Sequence, residues 1–365
     1  MTTSLYDAVA DLPLSIESVS LRRRSRATSS GFERVSTTFR LRGAGELGRG
    51  EDVTYDAPDH DALFANPESD PKTPAEGVKF EDELAGEWTF GEFSDALETA
   101  ELFPNGDPER KTGYPYRRWA LESAALDLAL RQADTNLAER LDREPAPVTF
   151  AASARLGGED EPPTADRVLE LVERVPNIEF KLDPTEEWGD DLADSLPADR
   201  IRVLDLKGLY EGTDVDNEAD PDFYRWVRDS FPNALIEDPE LNDDTREIFD
   251  GEEERLSWDY PITGVDAVEN LPVEPEWLNV KPSRFGSVES LFATLEWAAE
   301  RDVSLYSGGQ FELGVGREHL HAIASLFYPE GPNDAAPVAF NDPELEGRLP
   351  ATPLAPSPAP RGFEF

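Results

Sequence analysis

Between Asn177 and Glu312 the sequence keeps repeating one unit: a short apolar run that ends in a charged or glycine-rich turn, followed by a segment of mostly helical character. The runs NIEFKLD, IRVLDLKG, ALIEDP, RLSWDYP, WLNVKPS and VSLYSGG close on Lys181, Asp205, Glu237, Asp259, Lys281 and the turn Ser307-Gly308-Gly309-Gln310. VTFAASARLG, with helix TADRVLELVERV behind it, opens the series, which makes seven strand-then-helix units. Parallel strands need a crossover of a dozen residues or more, usually a helix, so the alternation points to a parallel sheet. Seven units favour a closed barrel, which opens the C-terminal ends of all its strands onto one face. An open doubly wound sheet is the competitor that periodicity alone leaves standing.

The steps from 181 to 205, 205 to 237, 237 to 259 and 259 to 281 are 24, 32, 22 and 22 residues, each about one β/α unit. Asp205, Glu237 and Asp259 then fall on three neighbouring strand ends, with Lys181 and Lys281 on either side. Three monodentate carboxylates fill about half of an octahedral magnesium shell and leave the rest for water or substrate oxygens. With no histidine or cysteine beside them, zinc and copper are disfavoured. Lysine usage sharpens the pattern. Only Lys72, Lys79, Lys111, Lys181, Lys207 and Lys281 occur, and three of the six stand at or beside strand ends.

Ahead of the barrel, SIESVSLRRR and RVSTTFRLRG alternate as antiparallel strands about a Thr28–Gly31 turn. GELGRGE lacks the strand–glycine loop–helix context and later acid of a dinucleotide site. YRRWALESAALDLALRQADTNLAERL has helical spacing, with Ala124, Ala125, Leu128 and Ala129 as a face for close packing. The expected organisation is an N-terminal α+β domain with its lead-in helix over 1–145, a barrel over 146–342 and a Pro-rich tail over 343–365, which wraps the surface or is mobile.

Of 365 residues 38% are hydrophobic, which is enough for one large core, while 78 acidic against 34 basic residues give a net charge of −44. Such a surface repels nucleic acid and anionic membrane. Its acids are dispersed rather than gathered in a tail, a pattern expected of a halophile, where salt screens self-repulsion. The absence of cysteine excludes disulfides, zinc-thiolate sites and cysteine nucleophiles. No run reaches membrane-spanning length and no signal peptide is visible, so a cytoplasmic protein is expected.

In this order and spacing, VLDLKG, LIEDP, the strand-five Asp259, NVKPSRFG and GGQFELGVGR make the chain resemble the enolase superfamily, in its muconate-lactonising-enzyme-like branch. That branch includes o-succinylbenzoate synthases, N-acylamino acid racemases and dipeptide epimerases. The resemblance covers most of the chain, from the strands ending in GELGRGE onward. It implies an α/β fold, a modified TIM barrel of (β/α)7β type with an N-terminal α+β capping domain. It makes Asp205, Glu237 and Asp259 the Mg²⁺ ligands, Lys281 the strand-six acid/base lysine and Lys181 a lysine of strand two.

The activity implied is removal of the proton α to a carboxylate through a metal-stabilised enediolate, in a racemase/epimerase or a lyase of dehydratase or cycloisomerase type. A small-molecule carboxylate is the expected partner, with homo-oligomerisation open. Candidate substrate-binding residues are Lys207, Ser283, Gly309, Gln310 and Glu312, and by resemblance the Thr28–Phe32 loop is a flap over the site.

Two positions depart from the family. Strand two reads Glu179-Phe180-Lys181 where a Lys-X-Lys pair is usual, so Lys181 matches either lysine. Strand three reads Asp205-Leu206-Lys207 where Asp-X-Asn is common, and Lys207 either binds a substrate anion or pairs with a ligand carboxylate. No histidine stands at a strand end, which disfavours a histidine base.

Bland readings stand beside these. The strand-end carboxylates could be structural ion-pair partners of the lysines, in a barrel that binds an acidic metabolite without catalysis. Gly308-Gly309 serves equally as a tight turn. Asp266 rivals Asp259 but reads as helix N-terminal. His319 and His321, two apart in one helix, cannot share a metal. Asp214–Asp220 lacks the glycine and closing glutamate of a calcium loop.

Overall fold

The protein is described by a computed structural model that covers residues 4–64, 75–76, 81–103, 106–157, 162–210 and 217–365. Lys72, Lys79 and residues 214–216 of the acidic run lie outside the described residues.

Strands β1 (Ser18–Ala27), β2 (Glu33–Gly43) and β3 (Glu46–Asp52) form an antiparallel meander, and Ala75–Glu76 pairs on the far edge of β1. The turn between β1 and β2 lies where expected, at Thr28–Gly31, where Gly31 takes a φ of +83°. Helix α1 (Gly113–Gln132) lies across this sheet with its small residues inward. Its close approach accounts for GELGRGE. A Cβ at Gly48 would sit 2.2 Å from the Ala124 carbonyl oxygen, and one at Gly50 would sit 1.9 Å from that of Ala120. Glycines two apart on β3 share one face, so the motif is a packing device for helix on sheet.

The barrel follows as β4 (Ala151–Ala154), β5 (Glu179–Leu182), β6 (Ile201–Asp205), β7 (Leu235–Glu237), β8 (Leu256–Trp258), β9 (Trp277–Val280) and β10 (Ser304–Ser307). All seven predicted strands are present, in one parallel sheet in sequence order. The eighth position is filled by Asn333-Asp334, which bridges Phe150 just ahead of β4 and Gly308 just after β10. The crossovers include α2 (Asp166–Arg174), α3 (Pro221–Ser230), α4 (Val288–Glu300) and α5 (Val315–Phe327). After β7 the crossover is only the short 3-10 turns Arg246–Phe249 and Glu253–Arg255. Gly251, with a φ of +80°, interrupts the run between them.

The tail wraps back over the structure. Leu354 pairs with Val148, Gly362 bridges Asn136, and Phe363 is buried. Asp127 of α1 accepts the Phe363 amide at 2.9 Å, while Phe363 stacks on His319 of α5. The tail therefore ties the N-terminal helix to the last barrel helix. No helix among the described residues is long and apolar enough to cross a membrane.

Candidate active site

Register places the first two carboxylates. Glu237 pairs with Asp205 across β6 and β7, so their side chains emerge side by side at the strand ends. Glu237 also pairs with Ser257, and Asp259 stands two residues beyond Ser257, one pleat further toward the mouth. That offset explains an unexpected feature. The described carboxylates whose oxygens lie within 4.8 Å of one another are Asp205, Glu237 and Asp238, with Asp238 rather than Asp259 as the third. Asp238, the neighbour of Glu237 in LIEDP, takes a φ of +49° and turns its carboxylate back. Its two oxygens accept the amides of Asp259 and Tyr260, each at 2.8 Å. It therefore props the backbone that presents Asp259.

Each carboxylate has cationic partners. Lys181 Nζ bonds Glu237 Oε1 and lies 3.3 Å from Asp205 Oδ2 and 3.3 Å from Asp334 Oδ2. Lys207 follows β6 with a φ of +55°, and its Nζ donates to Asp205 Oδ2 at 2.6 Å. In the structure, then, Lys207 pairs with the Asp205 carboxylate. Lys281 Nζ donates to Asp259 Oδ2 at 2.7 Å, Arg284 Nη1 to Oδ1 at 2.9 Å, and the Tyr210 hydroxyl to Oδ2 at 3.0 Å. Glu237 Oε2 accepts from Asn279 Nδ2 at 3.1 Å and from the Tyr306 hydroxyl. Lys181, Lys281 and the carboxylates of Asp205, Glu237 and Asp259 are all buried and converge on the mouth.

The charges are unevenly compensated. Burial raises the Asp205 carboxyl, but Lys207 and Lys181 outweigh it and bring it down to about 2. Asp259 is held well below the usual carboxylate range, because Arg284 and Lys281 overcome its burial. Glu237 goes the other way. Burial raises it, Lys181 opposes, and Asp205, Asp259 and Asp238 push it up to about 8. Asp238 rises to about 7 through burial and the same two aspartates. Burial also lowers Lys181, but Glu237, Asp205 and Asp334 reverse this and hold its ammonium well above the ordinary lysine value. The crowding that disfavours the charged forms of Glu237 and Asp238, on hard oxygen donors, is what a divalent cation of magnesium type would relieve.

The loop after β10 supplies the other wall. Gln310 accepts from the Tyr55 hydroxyl at 2.6 Å through Oε1, and from Arg34 Nε at 3.0 Å through its carbonyl, so the N-terminal domain grips this loop. Glu312 Oε1 accepts the Gln310 amide at 2.8 Å, and a Cβ on Gly309 would come within 2.5 Å of Glu312 Oε2. Phe32, at the end of the Thr28–Phe32 loop, packs edge-on against Phe311. Ser283 is buried in the turn after Lys281. Asn279 Oδ1, Ser307 Oγ, Gln310 Nε2 and Glu312 Oε2 are buried without hydrogen-bond partners among the described residues. Buried polar atoms of that kind call for a ligand or solvent.

Sequence reasoning missed Asp238, Asp334, Asn279 and Tyr306. Asp238 stood inside LIEDP, and Asn279 lies two residues before Lys281, on the same face of the strand. Asp334, in a two-residue bridge, left no strand signal.

The similar solved structures, which share this parallel barrel and capping sheet domain, are members of the enolase superfamily. A dipeptide epimerase from Enterococcus faecalis V583 matches with a TM-score of 0.62 at 14% identity, over 90% of this chain and 91% of that one. A muconate cycloisomerase from Pseudomonas fluorescens matches with a TM-score of 0.61 at 18% identity, over 88% and 87%. A dipeptide epimerase from Methylococcus capsulatus, complexed with Mg ion, matches with a TM-score of 0.58 at 18% identity, over 86% and 88%. Identities this low carry the fold alone. No curated protein gives a match. The chain belongs to the DUF8230 family, a domain of unknown function, whose N-terminal domain matches residues 7–140 and C-terminal domain residues 144–342.

Proposed function

We propose that this protein is a magnesium-dependent enzyme that removes the proton α to a carboxylate, as a racemase/epimerase or a lyase. The observation that carries the reading is the convergence of Lys181 and Lys281 on the buried carboxylates Asp205, Glu237 and Asp259 at one barrel mouth. The three carboxylates would hold the cation, with Asp238 as their prop. A bound divalent cation supplies the charge stabilisation that makes so weak a carbon acid accessible.

The chain's own groups do the rest. Lys181 and Lys281 reach the mouth from strand ends separated by three intervening strands, so they flank a substrate from two sides. A base must be neutral, and Glu237, Asp205 and Asp334 keep the proton on the Lys181 ammonium. A cation held by Asp205 and Glu237 would weaken that hold. Lys207, Ser283, Gly309, Gln310 and Glu312 would position the substrate, with the Thr28–Phe32 loop as the flap. The magnesium reported for the Methylococcus capsulatus epimerase supports the choice of ion.

One observation favours a second reading. Lys207 already pairs with Asp205, as a salt bridge would in a non-catalytic barrel that binds an acidic metabolite. Incubation with Mg²⁺ and a carboxylate library in D₂O separates the two. The enzyme reading expects α-deuterium uptake or turnover that Lys281→Ala lowers by about a thousandfold, within the range for a positioned acid/base. No exchange with any substrate, together with a Lys281→Ala variant that behaves like its parent, sinks it.

A further inference from the structure

The N-terminal sheet carries a second constellation, apart from the barrel mouth. On its face toward the start of α5, Arg40 of β2 stands directly opposite Arg49 of β3. On β1, Arg22 stands opposite Thr38 and Arg24 opposite Ser36. Period-two alternation puts all four arginines on one face. Arg317 of α5, 7% exposed, reaches toward them from the other side. Together the five line a cavity of about 490 Å³ whose lining includes a single carboxylate, Glu318. Among the described residues, five guanidinium groups line this cavity against one lining carboxylate, in a chain whose net charge is −44.

These arginines are not arranged as structural ones are elsewhere in the same protein. Arg23, on the opposite face of β1, pairs with Asp61 at 2.9 Å, and Arg117 pairs with Asp52 at 2.9 Å. By contrast, the Nε atoms of Arg22, Arg24, Arg40 and Arg317 are buried without a hydrogen-bond partner among the described residues. Arg317 does reach the Glu312 carbonyl through Nη2 and lies 3.9 Å from the Glu312 carboxylate, and Arg49 approaches Glu364 only at 4.0 Å. Like charges directly opposite one another on a sheet are destabilising, and buried charge without a partner costs more. Burial, followed by Arg42, Arg49, Arg22 and Arg24, lowers the Arg40 guanidinium below its ordinary value. A sequence with 78 acidic residues could have neutralised this face many times over, yet among the described residues one carboxylate lines it.

We propose that this cavity is a binding site for a small multivalent oxyanion, of phosphate or polycarboxylate type. Guanidinium forks match both groups bidentately. The volume is that of a small-molecule pocket rather than of a macromolecular interface.

Isothermal titration of the magnesium-free protein at constant ionic strength tests the site, with inorganic pyrophosphate in one arm and citrate in the other. Saturable binding of at least one probe is expected. In R22Q/R40Q it weakens at least tenfold, while the exposed control R225Q keeps the parent's affinity. The probe that binds tells phosphate from carboxylate chemistry. Thermal unfolding guards against a misfolded variant: without anion, R22Q/R40Q melts no lower than the parent, since it loses repulsion. With the probe only the parent's Tm rises. If neither probe binds saturably, or if R22Q/R40Q binds like the parent, the site does not exist.

Discussion

Lys207 Nζ lies 2.6 Å from Asp205 Oδ2 and 3.3 Å from Asp183 Oδ2, so an internal cation already occupies one side of a proposed metal ligand. An incoming divalent ion must share Asp205 with that ammonium or displace it. Lys207→Met removes the competitor and a repelling charge, while Lys181 still partners Asp205. Magnesium affinity, read by calorimetry, should rise about tenfold, or about 1.4 kcal/mol. Unchanged or weaker binding would mean that Lys207 helps the site rather than competing with it.

Asp238 and Asp259 compete for the place of third ligand, and their environments separate them. Asp238 spends both oxygens on backbone amides, whereas Asp259 is held by Lys281, Arg284 and Tyr210. Asp205→Asn, Glu237→Gln and Asp259→Asn should each abolish the rise in Tm on adding magnesium, while Asp238→Asn keeps part of it. The reverse pattern for the two aspartates would make Asp238 the ligand. Asp259→Asn also strands two buried cations, so it should cost about 3–5 kcal/mol without metal.

Gly50 has no room for a methyl group, because the Ala120 carbonyl would lie 1.9 Å away and belongs to the backbone of α1. Gly50→Ala should lose about 3 kcal/mol or more by denaturant unfolding, beyond ordinary overpacking. Gly45 offers a comparison: nothing lies within 4 Å of its would-be Cβ, but its φ is +82°. Gly45→Ala should cost only the left-handed backbone term, about 1–2 kcal/mol. Equal costs at the two sites would refute the close-packing account of GELGRGE.

The barrel was legible because each strand carries its own apolar run, and a period of one β/α unit fixes which strand ends are neighbours. Asp205, Glu237 and Lys281 needed nothing more. What stayed hidden depends on backbone torsion and on contacts distant in sequence. The left-handed Asp238 turns into the cluster, and only the strand pairing reveals that Asp259 sits one pleat higher. Asp334 reaches Lys181 from a two-residue bridge, which has no periodicity to read. The arginine face escaped for another reason. Alternation in SLRRRSR looks like any edge of a sheet until the register sets Arg40 against Arg49 and α5 closes over them.

His319 and His321 are buried neutral, and the tail keeps them so. His319 stacks on Phe363 with ring centroids 4.2 Å apart, and neither of its nitrogens has a hydrogen-bond partner among the described residues. Burial lowers its pKa to about 3, while His321, beside Phe150 and Phe365, is lowered to about 4. An imidazole depressed in the folded state takes its proton first in the unfolded chain. Its contribution is therefore complete above the unfolded value of about 6.5 and is lost as pH falls toward the folded value. By pH 5 each histidine should cost about 2 kcal/mol relative to pH 7, from roughly 1.5 units at 1.36 kcal/mol each. Protonation of the many surface carboxylates also shifts stability over this range, so the comparison must be with a variant. His319→Phe keeps an aromatic ring on Phe363 but cannot take a proton. Urea unfolding at the two pH values should show a drop about 2 kcal/mol smaller in the variant than in the parent. An equal drop would mean that His319 finds a way to protonate inside the fold, and that the tail does not seal it.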